Sequence, residues 1–232
     1  MTDGRKNRSD GNDAPRYVLI GIVGYTPVVE AFPLGPRLMA TLERALKHRK
    51  GVSVENMTWG PIHIVQRFQD EGAVRPDRLI LVGAASVCSK PGRVRAFRWR
   101  GGTLPDAMMQ ERIYEAVTGI VDIENTLMIG SHFGVWPPET YTVEIDLAAD
   151  AFGAMVMAET EGRSDDAAIA GELGFRPGDA IEAISRFVLD LAESGDDAVC
   201  RPQAKSAGGL APVARFIRNE IVAGVADVRG QH

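Results

Sequence analysis

The run Tyr17–Val23, YVLIGIV, followed by Gly24, constrains the fold more than any other stretch of the chain. A strand that is apolar at every position has both faces covered, which is how the strands of a parallel sheet read. A helix is predicted next. Pro36 sits near its first turn, Leu38, Leu42 and Leu46 recur at intervals of four, and Lys47, His48, Arg49 and Lys50 load its carbonyl end. Val52–Met57 reads as a short second strand. Beyond Gly60-Pro61 a compact helix, IHIVQRFQD, places Ile62, Val65 and Phe68 or Gln69 along one side, and Arg78–Ala84 (RLILVGA) is another strand of the buried type.

The second half is less regular. VRAFRW follows Pro91-Gly92 and, with its flanks, carries four basic residues, Arg93, Arg95, Arg98 and Arg100, which suggests an exposed sheet edge. Asp106–Val121 is predicted as a helix. Leu127–Ile129 and Tyr141–Leu147 read as strands around the loop GSHFGVWPPE. Asp179–Leu191, with Ile181, Ile184, Val188 and Leu191 on one face, is the clearest helix. Strands alternating with helices predict an α/β fold, a three-layer α/β/α sandwich on a mostly parallel central sheet. No internal repeat is present.

Composition sets the outer limits. The 232 residues are 45% hydrophobic, enough to fill a core, and two cysteines, Cys88 and Cys200, cannot form a disulfide framework. That cysteine usage suggests a reducing compartment and a cytoplasmic location. Twenty-six basic against thirty-one acidic residues leave a net charge of −5, which gives no electrostatic footprint for general nucleic-acid binding. No apolar run approaches the roughly 20 residues that span a bilayer. Residues 1–15, MTDGRKNRSDGNDAP, read as a disordered tail without the apolar core of a signal peptide. The α/β domain is expected over residues 16–194. Residues 195–232 read as a linker and an appended helix over Leu210–Val225, opened by Pro212 and striped by Val213, Phe216, Ile217, Ile221 and Val222. A monomer and a homodimer are equally compatible with this size and surface.

Ligands of open α/β sheets bind beyond the carboxyl ends of the strands, where loops converge and helix amino ends point outward. Gly24–Pro36, Met57–Pro61 and Gly83–Pro91 fall there. Glu30 is the one carboxylate of GYTPVVEAFPLGP, set among apolar and proline neighbours, and is either a site carboxylate or a cap for the following helix. Cys88 follows the third strand closely enough to line the same crevice, as a nucleophile, a ligand or a buried structural thiol. His63 and His132 are the better histidine candidates for a metal role, although no HExxH or other paired ligand spacing occurs. The glycine-rich pieces GIVG and VGAAS lack GxGxxG and a P-loop lysine.

Across about residues 17–193 the order and spacing of VLIGIVGYTPVVEAF, MTWGPIHIVQRF, DRLILVGAAS, PGRVRAFRWRGGTLP, LMIGSHFGVWPPETYTVEID and LGFRPGDAIEAISRFVLDLA resemble the hydrogenase maturation endopeptidases. Those enzymes remove a carboxy-terminal extension from the large subunit of nickel-iron hydrogenases once nickel is loaded. The resemblance implies an α/β/α sandwich and a site for nickel or another divalent metal. It puts Val29-Glu30-Ala31 at the family's first acidic motif, so Glu30 can take the place of its first metal-contacting carboxylate; His63, Cys88 or His132 would join it only in a rebuilt site. The family's second ligand, an aspartate ending the third strand, is Gly83 here. Its third, a histidine, aligns with Ala116 in YEAVTG. Neither side chain donates to a metal.

Three readings follow. In the first, the chain is a hydrogenase maturation peptidase-like protein that has lost cleavage and kept recognition, acting as an assembly factor or chaperone on a hydrogenase-type large subunit or related metalloprotein precursor. Tyr25, Phe32, Trp59 and Trp136 then line the crevice, together with Gly83, Cys88 and His132. In the second, it is an active, divergent metal-dependent endopeptidase with a rebuilt site around Glu30. A small-molecule enzyme on the same architecture is the third, since fold alone does not determine function.

Overall fold

The computed structural model describes residues 17–23, 34–85, 91–102, 104–118, 123–148, 150–162, 166–195, 202–206 and 217–221. Along the chain these form β1 (Val18–Ile22), α1 (Leu34–Leu46), β2 (Val52–Asn56), α2 (Pro61–Gln69), β3 (Arg78–Ala85), β4 (Val94–Trp99), α3 (Asp106–Val117), α4 (Ile123–His132), β5 (Glu139–Asp146), α5 (Ala151–Thr160), α6 (Asp166–Leu173), α7 (Pro177–Ser194), β6 (Pro202–Ser206) and β7 (Ile217–Ile221). The strands make one sheet in the order β2-β1-β3-β5-β4-β7-β6. Its first four strands are parallel, β4 runs against β5 and β7, and β6 runs against β7.

Alternation along each strand divides the core between two helical layers. Val18, Ile20 and Ile22, with Ile80, Val82, Val143 and Ile145, face Leu38, Leu42 and Leu46 of α1 and Ile184, Val188 and Leu191 of α7. Leu19, Leu79 and Leu81 face the other way, onto Ile64, Val65 and Phe68 of α2 and Leu127, Met128 and Ile129 of α4. The α/β/α sandwich read from the alternation of elements is therefore present. Arg78, buried at the start of β3, reaches across to cap α7: its NH1 donates to the carbonyls of Leu191 (2.8 Å) and Ala192 (3.0 Å), and its Nε donates to Glu139 (2.6 Å).

Four local expectations are corrected. Leu127–Ile129 is not a strand but the middle of α4, where Ile123, Leu127 and the residues around them are buried nearly all round the helix. A short apolar run of this kind has no periodicity to distinguish helix from strand. The helix expected over Asp106–Val121 ends at Val117, where the Thr118 hydroxyl bonds back to the Glu115 carbonyl (2.8 Å). VRAFRW is not an outer edge: β4 lies between β5 and β7, and its arginines are accommodated within the fold. Arg95 donates to Asp146 on β5, and Arg98 lies over the Tyr141 ring at 5.6 Å. Finally, Ile217–Ile221 is a strand and not part of a helix over Leu210–Val225, and β6 forms within the stretch read as a linker. Ile217, Asn219 and Ile221 also fit a period of two, and pairing with β4 selects it.

Candidate functional site

The parallel register brings the carboxyl ends of β1, β2, β3 and β5 to one rim at Ile22, Asn56, Ala85 and Asp146. Helix α2 starts at this rim, directly after the loop Met57–Gly60. Helix α3 ends there, since the Ala116 carbonyl lies 3.4 Å from where a Cβ on Gly60 would stand. Helix α4 begins there, with Ile123 against Gly83.

The floor of the rim is apolar. Val23, Met57, Ala116 and Ile123 are all buried in the cluster beneath α2, α3 and α4. Gly83 is buried among them, and a Cβ placed on it would stand 2.6 Å from Ile123 Cδ1 and 2.9 Å from the Val23 carbonyl oxygen. No side chain fits at Gly83 unless Ile123 withdraws. Burial of Ile123 itself contributes about 2 kcal/mol. Gly83 and Ala116, which the family resemblance matched to metal ligands, are thus buried among apolar side chains. Among the described residues no group of three His, Cys, Asp or Glu side chains converges as a metal site. Val23, Met57, Gly83, Ala116 and Ile123 themselves supply none of the imidazole and carboxylate groups that nickel takes.

The candidates read from the sequence separate as follows. Glu30, Tyr25, Phe32 and Cys88 lie outside the described residues. Trp59, 42% exposed, is on the rim between β2 and α2. His63 is exposed on the first turn of α2, close to Gly60. His132 is corrected: it ends α4, which runs from Ile123 at the carboxyl rim toward Glu139, the β5 residue registered with Arg78 at the amino end of the sheet. Its imidazole meets the edge of Phe133 there, at 5.1 Å between ring centroids, and cannot join a site at the opposite end. Trp136 is also at that far end, as part of the packing. Its Nε1 donates to the Leu127 carbonyl (2.9 Å), and its ring stands edge-on to Phe68 at 5.3 Å.

Two carboxylates at the rim were not anticipated. Glu144 and Asp146 stand two residues apart on β5, on the face turned toward α2, α3 and α4, and both are buried. Glu144 is the register partner of Gly83 and accepts a hydrogen bond from the Thr142 hydroxyl (2.7 Å). Asp146 Oδ1 accepts both Nε (2.9 Å) and NH2 (2.5 Å) of Arg95. These two carboxyl groups therefore lie one strand away from Gly83, and Arg95 pairs with Asp146. The signal was the polar alternation Thr140, Thr142, Glu144, Asp146, which in isolation describes a face turned to solvent. Elsewhere Arg67 and Glu55 form a two-point pair at 2.9 and 2.6 Å. That hydrogen bond raises the guanidinium pKa above its ordinary value, against the opposing effect of burial.

Fold and rim together define an open-sheet α/β/α protein whose crevice is floored by hydrocarbon at the third-strand position. The chain is similar in structure to the hydrogenase 2 maturation peptidase from Thaumarchaeota archaeon SCGC_AB-539-E09, at 16% identity, with 63% of this chain and 99% of that chain covered and a TM-score of 0.31. No protein-family model matches the chain, and no curated protein matches it. No helix among the described residues is long and apolar enough to cross a membrane.

Proposed function

We propose that this protein acts in the maturation or assembly of a nickel-iron hydrogenase-type large subunit, or a related metalloprotein precursor, by binding it and not by cleaving it. The observation that supports the second half of this reading is the packing of Ile123 onto Gly83, which leaves no room for a ligand side chain at that position in the carboxyl half of β3. The first half is supported by the order of sequence segments that resembles the maturation endopeptidases, laid on a sandwich of the same layering. A rim with an exposed Trp59 suits recognition, because tryptophan contributes large contact area at small entropic cost. The sheet of this domain extends through β7, beyond the boundary at residue 194 expected from the sequence. The setting of the protein is the cytoplasm, where a precursor subunit is folded and loaded.

The test is direct. The protein is incubated with a nickel-loaded precursor subunit, and co-purification and subunit mass are both recorded. Binding without shortening supports the assembly role; shortening that disappears in Glu30→Ala supports the divergent peptidase. Calorimetry with nickel, zinc and cobalt separates the two independently. The peptidase reading requires at least micromolar affinity, about 8 kcal/mol, lost on Glu30→Ala, whereas the binding reading expects no such heat.

A further inference from the structure

We propose that Trp59 forms a docking surface together with Glu111, Tyr114 and Val117 of α3, and that the segment it takes from the partner carries an arginine. The proposal rests on the reading of the rim as the place where a precursor docks, and extends it from one ring to a surface of defined chemistry. Trp59, Tyr114 and Val117 are 42%, 70% and 70% exposed, three of the six large apolar side chains that stand exposed among the described residues. One close approach groups them. The Ala116 carbonyl lies 3.4 Å from where a Cβ on Gly60 would stand, which sets the carbonyl end of α3 against the amino end of α2. Trp59 and Val117 are each one residue from that contact, and Tyr114, three residues before Val117, is its neighbour on the helix surface. Ala116 is buried, so α3 turns that side inward and leaves Gln110, Glu111, Tyr114 and Val117 along its exposed stripe.

Side chains set the sign of this surface, because the two helix ends that meet there carry opposite partial charges. Arg112 pairs with Glu115 at 2.7 Å on the flank of α3. Glu111 is the ionisable side chain of the exposed stripe, in a chain whose net charge is −5. A guanidinium suits all four groups at once. Its flat face stacks on an aromatic ring, its N–H fork pairs with the Glu111 carboxylate, and its methylene stem lies along Val117. A lysine ammonium keeps the charge pairing but has neither the flat face nor the fork. A purely aliphatic segment leaves Glu111 without a counter-charge, and a phosphate backbone or an anionic lipid surface is repelled by it.

The test uses the full chain and three labelled, end-blocked, leucine-rich heptapeptides with arginine, lysine or glutamate at the centre, read by fluorescence anisotropy. The arginine peptide is expected to bind about fivefold more tightly than the lysine peptide, and the glutamate peptide not at all. Tyr114→Ser and the isosteric Glu111→Gln are each expected to weaken the arginine peptide by about fivefold at an unchanged unfolding midpoint. Three results overturn the proposal: no arginine-peptide binding at about 1 mM, equal binding of the arginine and glutamate peptides, or binding that neither substitution weakens. Capture of a nickel-loaded precursor is measured in parallel. Capture by the parent and equally by both variants keeps the proposed function and overturns this surface. A parent that captures no precursor overturns the proposed function, and the peptide result alone then decides the surface.

Discussion

Ile123 Cδ1 occupies the space into which any side chain at Gly83 would have to grow, standing 2.6 Å from the position of a Cβ there. One residue from the start of α4 and one from the carboxyl half of β3 thereby fill the third-strand position of the rim with hydrocarbon.

Gly83→Asp is expected to destabilise the fold by about 3 kcal/mol, because the new side chain collides with Ile123 and brings a carboxylate into an apolar cluster. Ile123→Ala costs about 3 kcal/mol through the cavity it leaves. The double variant should lose less than the sum of the two, by about 1 kcal/mol, since the alanine relieves the contact with Ile123 and leaves only that with the Val23 carbonyl. Urea denaturation of the four proteins completes the cycle. Strict additivity would mean that the two residues do not compete for one volume.

Arg78→Ala should cost about 3 kcal/mol by thermal or urea unfolding. The change removes charge-assisted bonds to two carbonyls at the end of α7 and leaves those acceptors without a donor. Arg78→Lys is expected to recover only part of the loss, because one ammonium does not reproduce the fork that serves Glu139 and α7 together. Glu139 is 39% exposed, so Glu139→Gln should cost no more than about 1 kcal/mol.

Much of the fold was legible from the chain. VLIGI and RLILV are continuous apolar runs because helices cover both faces of β1 and β3, and the i, i+3, i+7 spacing of Ile181, Ile184 and Val188 marks α7 without tertiary information. What failed did so where context overrides a local pattern. Leu127–Ile129 is buried around the helix and shows no face, and Ile217–Ile221 fits both a helical and an alternating period until β4 supplies a partner. The arginines of β4 suggested water, yet Asp146 and Tyr141 meet them inside the fold.

The site was legible in part. Gly83 can be seen in the sequence as a missing ligand, but not that Ile123, forty residues further on, fills its place. His132 looked available because GSHFG resembles a loop, whereas its helix carries it to the opposite end of the sheet. Glu144 and Asp146 were passed over because their burial comes from the α2, α3 and α4 layer, which alternation along one strand does not report.

Gly130→Ala tests the packing at the far end. A Cβ on Gly130 would stand 2.1 Å from the Trp136 ring, so the methyl group must push the indole from its bond to Leu127. A loss of about 2 kcal/mol is expected, with a change in tryptophan emission as the ring moves. An unchanged emission spectrum and an unchanged midpoint would contradict this account of Trp136 as a packing residue.

Trp59→Ala should leave the unfolding midpoint nearly unchanged, since the ring is 42% exposed. It should weaken capture of a precursor subunit by about 2 kcal/mol, some thirtyfold, if the rim is where the partner docks. Equal affinity for the variant and the parent, measured by surface-immobilised precursor, would place docking elsewhere.

Binding without cleavage is tested most directly by mass spectrometry of a nickel-loaded large-subunit precursor after prolonged incubation with an equimolar amount of the protein. A stable complex containing a precursor of unaltered mass is the predicted result. A precursor shortened at its carboxyl end, with the shortening abolished by Glu30→Ala, would contradict the account.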